Sequence, residues 1–415
     1  MRNRQAGVAF ILVTLFIDAL GVGIIIPVLP RLVERFLGVG PEAASGPYGW
    51  LLAVYALMLF AFAPVWGAVS DTYGRRVVIL VTLLGTAIDY AIMGLAGSYG
   101  ILFIGRALAG MSGANITTGF AYIADVTTPA NRGRGFGQIS MAFGLGFILG
   151  PALGGVLGKV DPRLPFFVAG GLALVNWFYG LLVLPESLPT DRRRPFSWRR
   201  ANPVATLAQL GRFKLVLGLA AAYFLLQLAS QMMQSTWVLY TEYRFGWDEL
   251  AVGLSLAVVG LLSGIVMGRF TQPAARRFGE ARVIRYGLLL MALGFVLWGL
   301  STHSWMMYAV MVPYIVGCLC SPTLQSLMSQ QVDPTEQGEL QGGLTSILSL
   351  AAILGPLAGS YTFGTFAKPT AELLVPGMAF FAGAVLFLLA WALTTWVFGR
   401  GAIAVCSVAA QAAPH

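Results

Sequence analysis

Apolar residues run along this chain in blocks of about 20, separated by short stretches where charges, glycine and proline collect. Twelve such blocks can be drawn, at 7–30, 48–69, 77–97, 100–124, 135–158, 165–184, 214–240, 249–270, 283–301, 304–330, 340–363 and 373–399. A helix of about 20 residues, rising about 1.5 Å per residue, crosses a hydrocarbon core of about 30 Å. The strict alternation of a barrel strand is missing, and in lipid only a helix or a closed barrel satisfies its own backbone. The pattern therefore predicts an all-α membrane protein with twelve transmembrane helices.

Composition agrees with that reading: 57% of residues are hydrophobic and only 10% are charged, against about a quarter charged in soluble domains. The distribution of Lys and Arg sets an orientation. With the N-terminus in the cytoplasm, the inner side receives Arg2, Arg4, Arg75, Arg76, Arg132, Arg134, the arginines of 192–200, Arg212, Lys214, Arg269, Arg276, Arg277, Arg282, Arg285 and Arg400, whereas the outer side keeps Arg31, Arg35, Lys159, Arg163, Arg244 and Lys368. The positive-inside rule then places both termini in the cytoplasm. The net charge of +9 follows from topology, since the cations are spread over separate loops and form no nucleic-acid recognition motif. Arg2 and Arg4 before an apolar run resemble the start of a signal peptide, but that run contains Asp18 and has no small-residue cleavage site, so it is read as the first span.

Enzyme chemistry has little to work with. Only His303 and His415 supply imidazole, and Cys318, Cys320 and Cys406 form no disulfide framework, so neither metal-ligand nor nucleophile–base spacing occurs. No phosphate-binding G-x-x-x-x-G-K-[ST] loop is present. No catalytic residue, metal or cofactor is expected, and any transport must draw on an ion gradient.

The one long hydrophilic stretch, PESLPTDRRRPFSWRRANP at 185–203, divides the chain into two halves of six spans. They align at a single offset of 205: Gly74 matches Gly279, TPANRG at 128–133 matches DPTEQG at 333–338, and Gly150-Pro151 matches Gly355-Pro356. Two pseudo-symmetric six-helix halves are an arrangement in which transporters bind substrate between repeats near the midplane. The expected organisation is an N-terminal half at 1–184, a cytoplasmic linker at 185–213, a C-terminal half at 214–400 and a disordered cytoplasmic tail at 401–415. The fold needs no second chain, and a monomer is expected.

The halves differ in polarity. Asp18, Asp89 and Arg106 lie inside spans, and their offset partners are Tyr223, Gly294 and Met311. An unpaired Asp in a span costs about 2.5–3.5 kcal/mol on insertion scales, which makes it a functional candidate. Asp18 lies near the midplane, where desolvation brings proton uptake and release within reach of neutral pH. Asp89 and Arg106 are almost equally far from the turn between the third and fourth spans, so they are expected at one depth; helix rotation then decides whether they pair, as a clamp or as partners that exchange, or whether Arg106 serves Asp18 instead. The second half offers Gln227, Gln231 and Gln234 on one face of the seventh span and Gln325 on the tenth. With Asn115 on the fourth, these are the candidate substrate-binding groups, able to donate and accept hydrogen bonds to a bulky amphipathic compound.

Several motifs then carry a resemblance. GAVSDTYGRR at 67–76, GRALAG at 105–110 and GFILGPALGG at 146–155 resemble the second-loop, fourth-helix and antiporter signatures of the major facilitator superfamily, in its proton-coupled drug exporter branch. DALGVGIIIPVLP at 18–30, AYIADVTTPANRGRGFG at 121–137, TWVLYTEYRFGW at 236–247 and QGELQG at 337–342 look like the tetracycline/proton antiporter group. The likeness extends to about residue 400. It implies the major facilitator fold in a bacterial cytoplasmic membrane and proton-driven drug export by alternating access. Export or uptake of an endogenous metabolite is the alternative, and a non-transporting receptor is disfavoured by the charges in the spans. The matching positions of a His and an acid in well-known tetracycline exporters are Ser263 and Met291 here, which leaves the substrate open.

The resemblance also gives the glycines a role. Gly146, Gly150 and Gly154 recur every four residues and form one face that a neighbouring helix can approach closely, and Pro151 permits a bend. With Gly155 they match the antiporter signature, which implies a pliable sealed contact between access states. In the second loop Gly74 allows a tight turn and Arg75 and Arg76 anchor it in the cytoplasm. Asp71 is expected near the N-terminus of the eleventh span, latching the outward-facing state.

Overall fold

The computed structural model describes residues 2–113, 115–198, 214–333 and 336–399. The tail at 401–415, expected to be disordered, lies outside them, as does 199–213 of the expected linker. The described chain is helical throughout: α1 (Arg2–Ile25), α2 (Leu29–Leu37), α3 (Pro41–Tyr73), α4 (Arg75–Gly94), α5 (Tyr99–Ser112), α6 (Asn115–Val126), α7 (Pro129–Val160), α8 (Leu164–Val183), a 3-10 turn (Thr190–Arg192), α9 (Lys214–Phe245), α10 (Glu249–Phe278), α11 (Glu280–Gly299), α12 (Ser304–Gly317), α13 (Cys320–Gln330), α14 (Gln337–Ala367) and α15 (Met378–Gly399).

Eleven stretches among the described residues are long and apolar enough to cross a membrane. The expected fourth span at 100–124 differs: the helix stops at Gly113, residue 114 lies outside the described residues, and α5 and α6 on either side are each too short to count alone. Window hydropathy is blind to such breaks, because losing a backbone hydrogen bond changes no side chain. The expected first span is also divided, with a turn at 26–28 beside Pro27, and the tenth breaks at Cys318–Leu319 after Pro313.

Proline starts helices where its missing N–H costs nothing, at Pro41 in α3 and Pro129 in α7. Gly74 and Gly279, the pair related by the offset, both adopt positive φ, +106° and +82°. Each lets the chain turn sharply from one helix into the next.

The chain forms two compact units, 1–203 with 247–260, and 204–246 with 261–415. In the first, α1 packs on α7 and α8, and α4 on α8 and α5. In the second, α9 packs on α14 and α15, and α11 on α15 and α12. The repeat seen in sequence is thus a repeat of packing. Phe10, Ile79, Leu83 and Tyr122 centre one buried cluster of the first unit. Trp237, Phe295, Trp298 and Phe380 stack edge-to-face or tilted in the second.

Candidate functional site

Asp18, on α1, faces the side-chain amide of Asn115, at the start of α6. The Asn115 Oδ1 accepts from the Thr82 hydroxyl on α4. Asn115 is only 3% exposed, so it stands inside this polar chain. Asp18 keeps a second, buried carboxylate oxygen, Oδ1, with no hydrogen-bond partner. Thr82 was not among the candidates from sequence, although it lies seven residues before Asp89 and so shares its face of α4.

Asp89 and Arg106 are both buried, at 2% and 5% exposure, and they act on each other electrostatically. They are not in direct contact: among the described residues no ion pair within 4.0 Å joins them, and Asp89 Oδ1 has no hydrogen-bond partner. Hairpin geometry fixes depth but not rotation. The Arg106 guanidinium instead lies over the Tyr55 ring, 4.3 Å from its centroid, with Nε 3.4 Å from the Leu51 carbonyl oxygen. Tyr48 and Tyr90 also face it electrostatically. An aromatic face and a carbonyl dipole together solvate a cation that water does not reach.

The glycine face finds its partner in α1. A Cβ at Gly146 would strike Phe16 and Leu20 backbone atoms, one at Gly150 would lie 2.8 Å from Gly23 Cα, and one at Gly154 would strike the Ile24 backbone. Gly155 faces another way, onto the Glu249–Leu250 backbone at the start of α10, where the Pro151 carbonyl also meets Gly253, while the Pro151 ring stays on the α1 side, with Cδ against Gly23. The segment 247–260 is held to the same unit by charge: Arg31 pairs with Glu249 at 3.2 Å and Lys159 with Asp248 at 3.3 Å. The Ala251 N–H, at 2.8 Å, and then Lys159 hold the Asp248 carboxyl below its ordinary range.

At the second loop Asp71 pairs with Arg75 at 2.7 Å, and Arg75 Nε reaches Asp125 at 3.2 Å. The stretch read as linker begins by closing over this loop. Glu186 accepts from the N–H groups of Arg75 (2.9 Å) and Arg76 (3.3 Å), capping α4, while Arg76 Nη2 donates to the Leu181 carbonyl at 2.8 Å. The Arg194 N–H donates to the Asp71 carbonyl at 3.0 Å. Glu186 and Asp125 carry no mark in the sequence, since an acid just beyond an apolar run looks like any solvated charge.

In the second unit Gln325 Nε2 donates to the Tyr223 hydroxyl at 3.0 Å, so the offset partner of Asp18 also meets a polar side chain of the helix pair α12–α13. The Gln231 stem packs on Gly355, Gln227 is half-buried and Gln234 is exposed. Ser263 is half-buried, and Met291 is buried with its sulfur 3.6 Å from Cys320 Sγ. Among the described residues of this unit, no Asp, Glu, Lys or Arg is buried.

The sequence matches the Major Facilitator Superfamily over residues 11–273 and 219–403. It is 40% identical to the tetracycline resistance protein, class C, of Escherichia coli, over 94% of this chain and 96% of that one. The class G protein of Vibrio anguillarum is 37% identical over 93% and 96%, and multidrug resistance protein 1 of Bacillus subtilis is 29% identical over 88% and 91%. Among solved structures the chain resembles the human organic anion transporter MFSD10, with a TM-score of 0.68 and 25% identity over 94% of this chain and 99% of that one. The fold is shared with the nucleoside transporter NupG, with a TM-score of 0.74 and 12% identity over 96% and 99%. With this family match, these relatives and its membrane-length helices, the chain belongs to the major facilitator superfamily, in the family of the tetracycline resistance proteins, and is a multi-pass membrane transporter and not an enzyme.

Proposed function

We propose that the protein is a proton-coupled antiporter that exports a bulky amphipathic drug, tetracycline foremost, across a bacterial cytoplasmic membrane by alternating access. In this reading α5 and α6 together make the fourth of twelve spans, both termini are cytoplasmic, and the transporter works as a monomer. The observation that carries it is Asp18: a carboxyl group on an apolar helix, held by one neutral amide, with its other oxygen buried and unpartnered. Such a group is costly unless its proton comes and goes. The tetracycline resistance relatives support the choice of drug. Because the described residues of the second unit bury no acid, proton exchange falls on Asp18 and Asp89 of the first unit, with Arg106 as their counter-charge.

Everted vesicles energised to an acidic interior test this. Adding tetracycline should release protons into the medium from vesicles with the wild-type protein and not from those with Asp18→Asn. Alkalinisation of the medium would mean symport, and no proton movement with any lipophilic drug would overturn the reading.

A further inference from the structure

We propose that Asn115 is a positioning residue for proton exchange, its side-chain amide turning over with the protonation state of Asp18 and passing that state through Thr82 to α4. The proposal rests on the reading of Asp18 as a proton carrier.

A primary amide donates at one end and accepts at the other, in nearly the same shape. With Asp18 ionised, the Asn115 amide is satisfied as it stands: its Oδ1 accepts from Thr82, which leaves Nδ2 to donate to the carboxylate. A protonated Asp18 breaks this. Its new O–H needs an acceptor, yet Asn115 presents an N–H, and Asp18 Oδ1 lies in a place without any partner. Half a turn of the amide restores every bond. Oδ1 then accepts from the Asp18 hydroxyl, and Nδ2 donates to Thr82 Oγ1.

Thr82 can follow, because an acceptor for its own proton is already in place. Its hydroxyl lies 2.8 Å from the Val78 carbonyl oxygen and 3.1 Å from that of Ile79. It has one proton to give, and so serves either Asn115 or its own helix. The two states differ by the proton on Asp18, an amide rotation and a hydroxyl rotation, and no charge moves along the chain. The result reaches α4, which carries Asp89 seven residues further on.

The fold itself does not require this chain. At the offset of 205, Asn115 and Thr82 correspond to Cys320 and Gly287. There the two helices meet by small-residue contact, a Cβ at Gly287 lying 2.7 Å from Cys320 Cβ. The same junction packs without polar groups in the half that buries no acid.

The experiment is the pH dependence of tetracycline-driven proton release from everted vesicles, with the amount and thermal stability of inserted protein measured alongside. A hydrogen bond to the charged form is stronger than one to the neutral form. Asn115→Leu should therefore shift the profile toward higher pH by about one unit, with an about tenfold loss of exchange at neutral pH. Thr82→Val should shift it the same way by less, and Thr82→Ser, which keeps the hydroxyl, should restore the wild-type profile. If Asn115→Leu fails to insert, the Thr82 pair carries the test. Variants of normal abundance whose profile does not move, or that lose stability and rate without a shift, overturn the relay. A wild-type protein that moves drug without protons overturns both the relay and the coupling it rests on.

Discussion

Gly150 of α7 lies directly against Gly23 of α1: a Cβ on Gly150 would come within 2.8 Å of Gly23 Cα, and one on Gly23 within 3.0 Å of Gly150 Cα. With no side chain on either, the two backbones touch, which is how helices associate in lipid, where no hydrophobic drive separates them from the acyl chains. Overpacking such a contact costs about 1–3 kcal/mol. Gly150→Ala should lower the melting temperature in detergent, and Gly150→Leu should abolish drug exchange while the protein still inserts. Gly144, with open space where its Cβ would be, is the control: Gly144→Ala should transport normally. Full transport by Gly150→Leu would show that the contact is dispensable.

The cap on α4 should separate backbone strain from charge. Gly74 combines a φ of +106° with a would-be Cβ that strikes Glu186, so Gly74→Ala meets both a forbidden conformation and a clash. Glu186→Gln keeps the shape and removes the charge at a helix N-terminus, a loss of about 0.3–1 kcal/mol, up to about 2 when partly buried. Thermal unfolding in detergent should rank Gly74→Ala as the more damaging. The reverse order would mean that the carboxylate, and not the turn, holds the loop.

The turn at Gly74 was readable in the chain because Gly279 repeats it at the same offset, and the face of Gly146, Gly150 and Gly154 because a spacing of four marks one side of a helix. What fills that face was not, since any helix with small residues suits it; Gly23 is named only by the packing. Charges in apolar runs announced Asp18, Asp89 and Arg106, whereas Asn115 stands out in the chain only as a polar group for a substrate, and Thr82 and Tyr55 are ordinary residues whose role depends on helix rotation. Hydropathy fixes depth and leaves rotation free. The same blindness hid the breaks at Gly113 and Cys318, where apolarity continues while the backbone ladder does not.

Asp248 gives a pH dependence with a definite sign. Its folded carboxyl is held below the ordinary value of 3.8, first by the Ala251 N–H and then by Lys159. What it contributes is present above that value and is lost as pH falls through the lower folded one. The hold of segment 247–260 on α7 should thus be constant from about pH 8 to about pH 5 and loosen only in stronger acid. Val252 is buried, so maleimide labelling of Val252→Cys in a background without native cysteines, relative to Thr370→Cys, reads the change. Asp248→Asn should raise the labelling at neutral pH. A rise in the unmutated segment between about pH 7 and about pH 5 would point to a different group.

Arg106 provides the sharpest test of the polar cluster, because its immediate partner is an aromatic ring and not the acid that shares its depth. A desolvated cation over a ring gains up to about 2 kcal/mol from the ring's quadrupole, and phenylalanine keeps that face. Tyr55→Phe should therefore leave stability nearly unchanged, whereas Tyr55→Leu should cost about 1 kcal/mol, and much less once Arg106→Gln has removed the cation. Asp89 acts on Arg106 from beyond ion-pair distance. In a double-mutant cycle, Asp89→Asn with Arg106→Gln should be less damaged than the sum of the single variants, by an interaction short of the about 3–5 kcal/mol lost when a contacting buried pair is broken. Strictly additive losses would remove Asp89 as the counter-charge of Arg106. An interaction at the full contact value would mean that the two close into an ion pair in the state that dominates in the membrane, with the guanidinium leaving Tyr55 to do so.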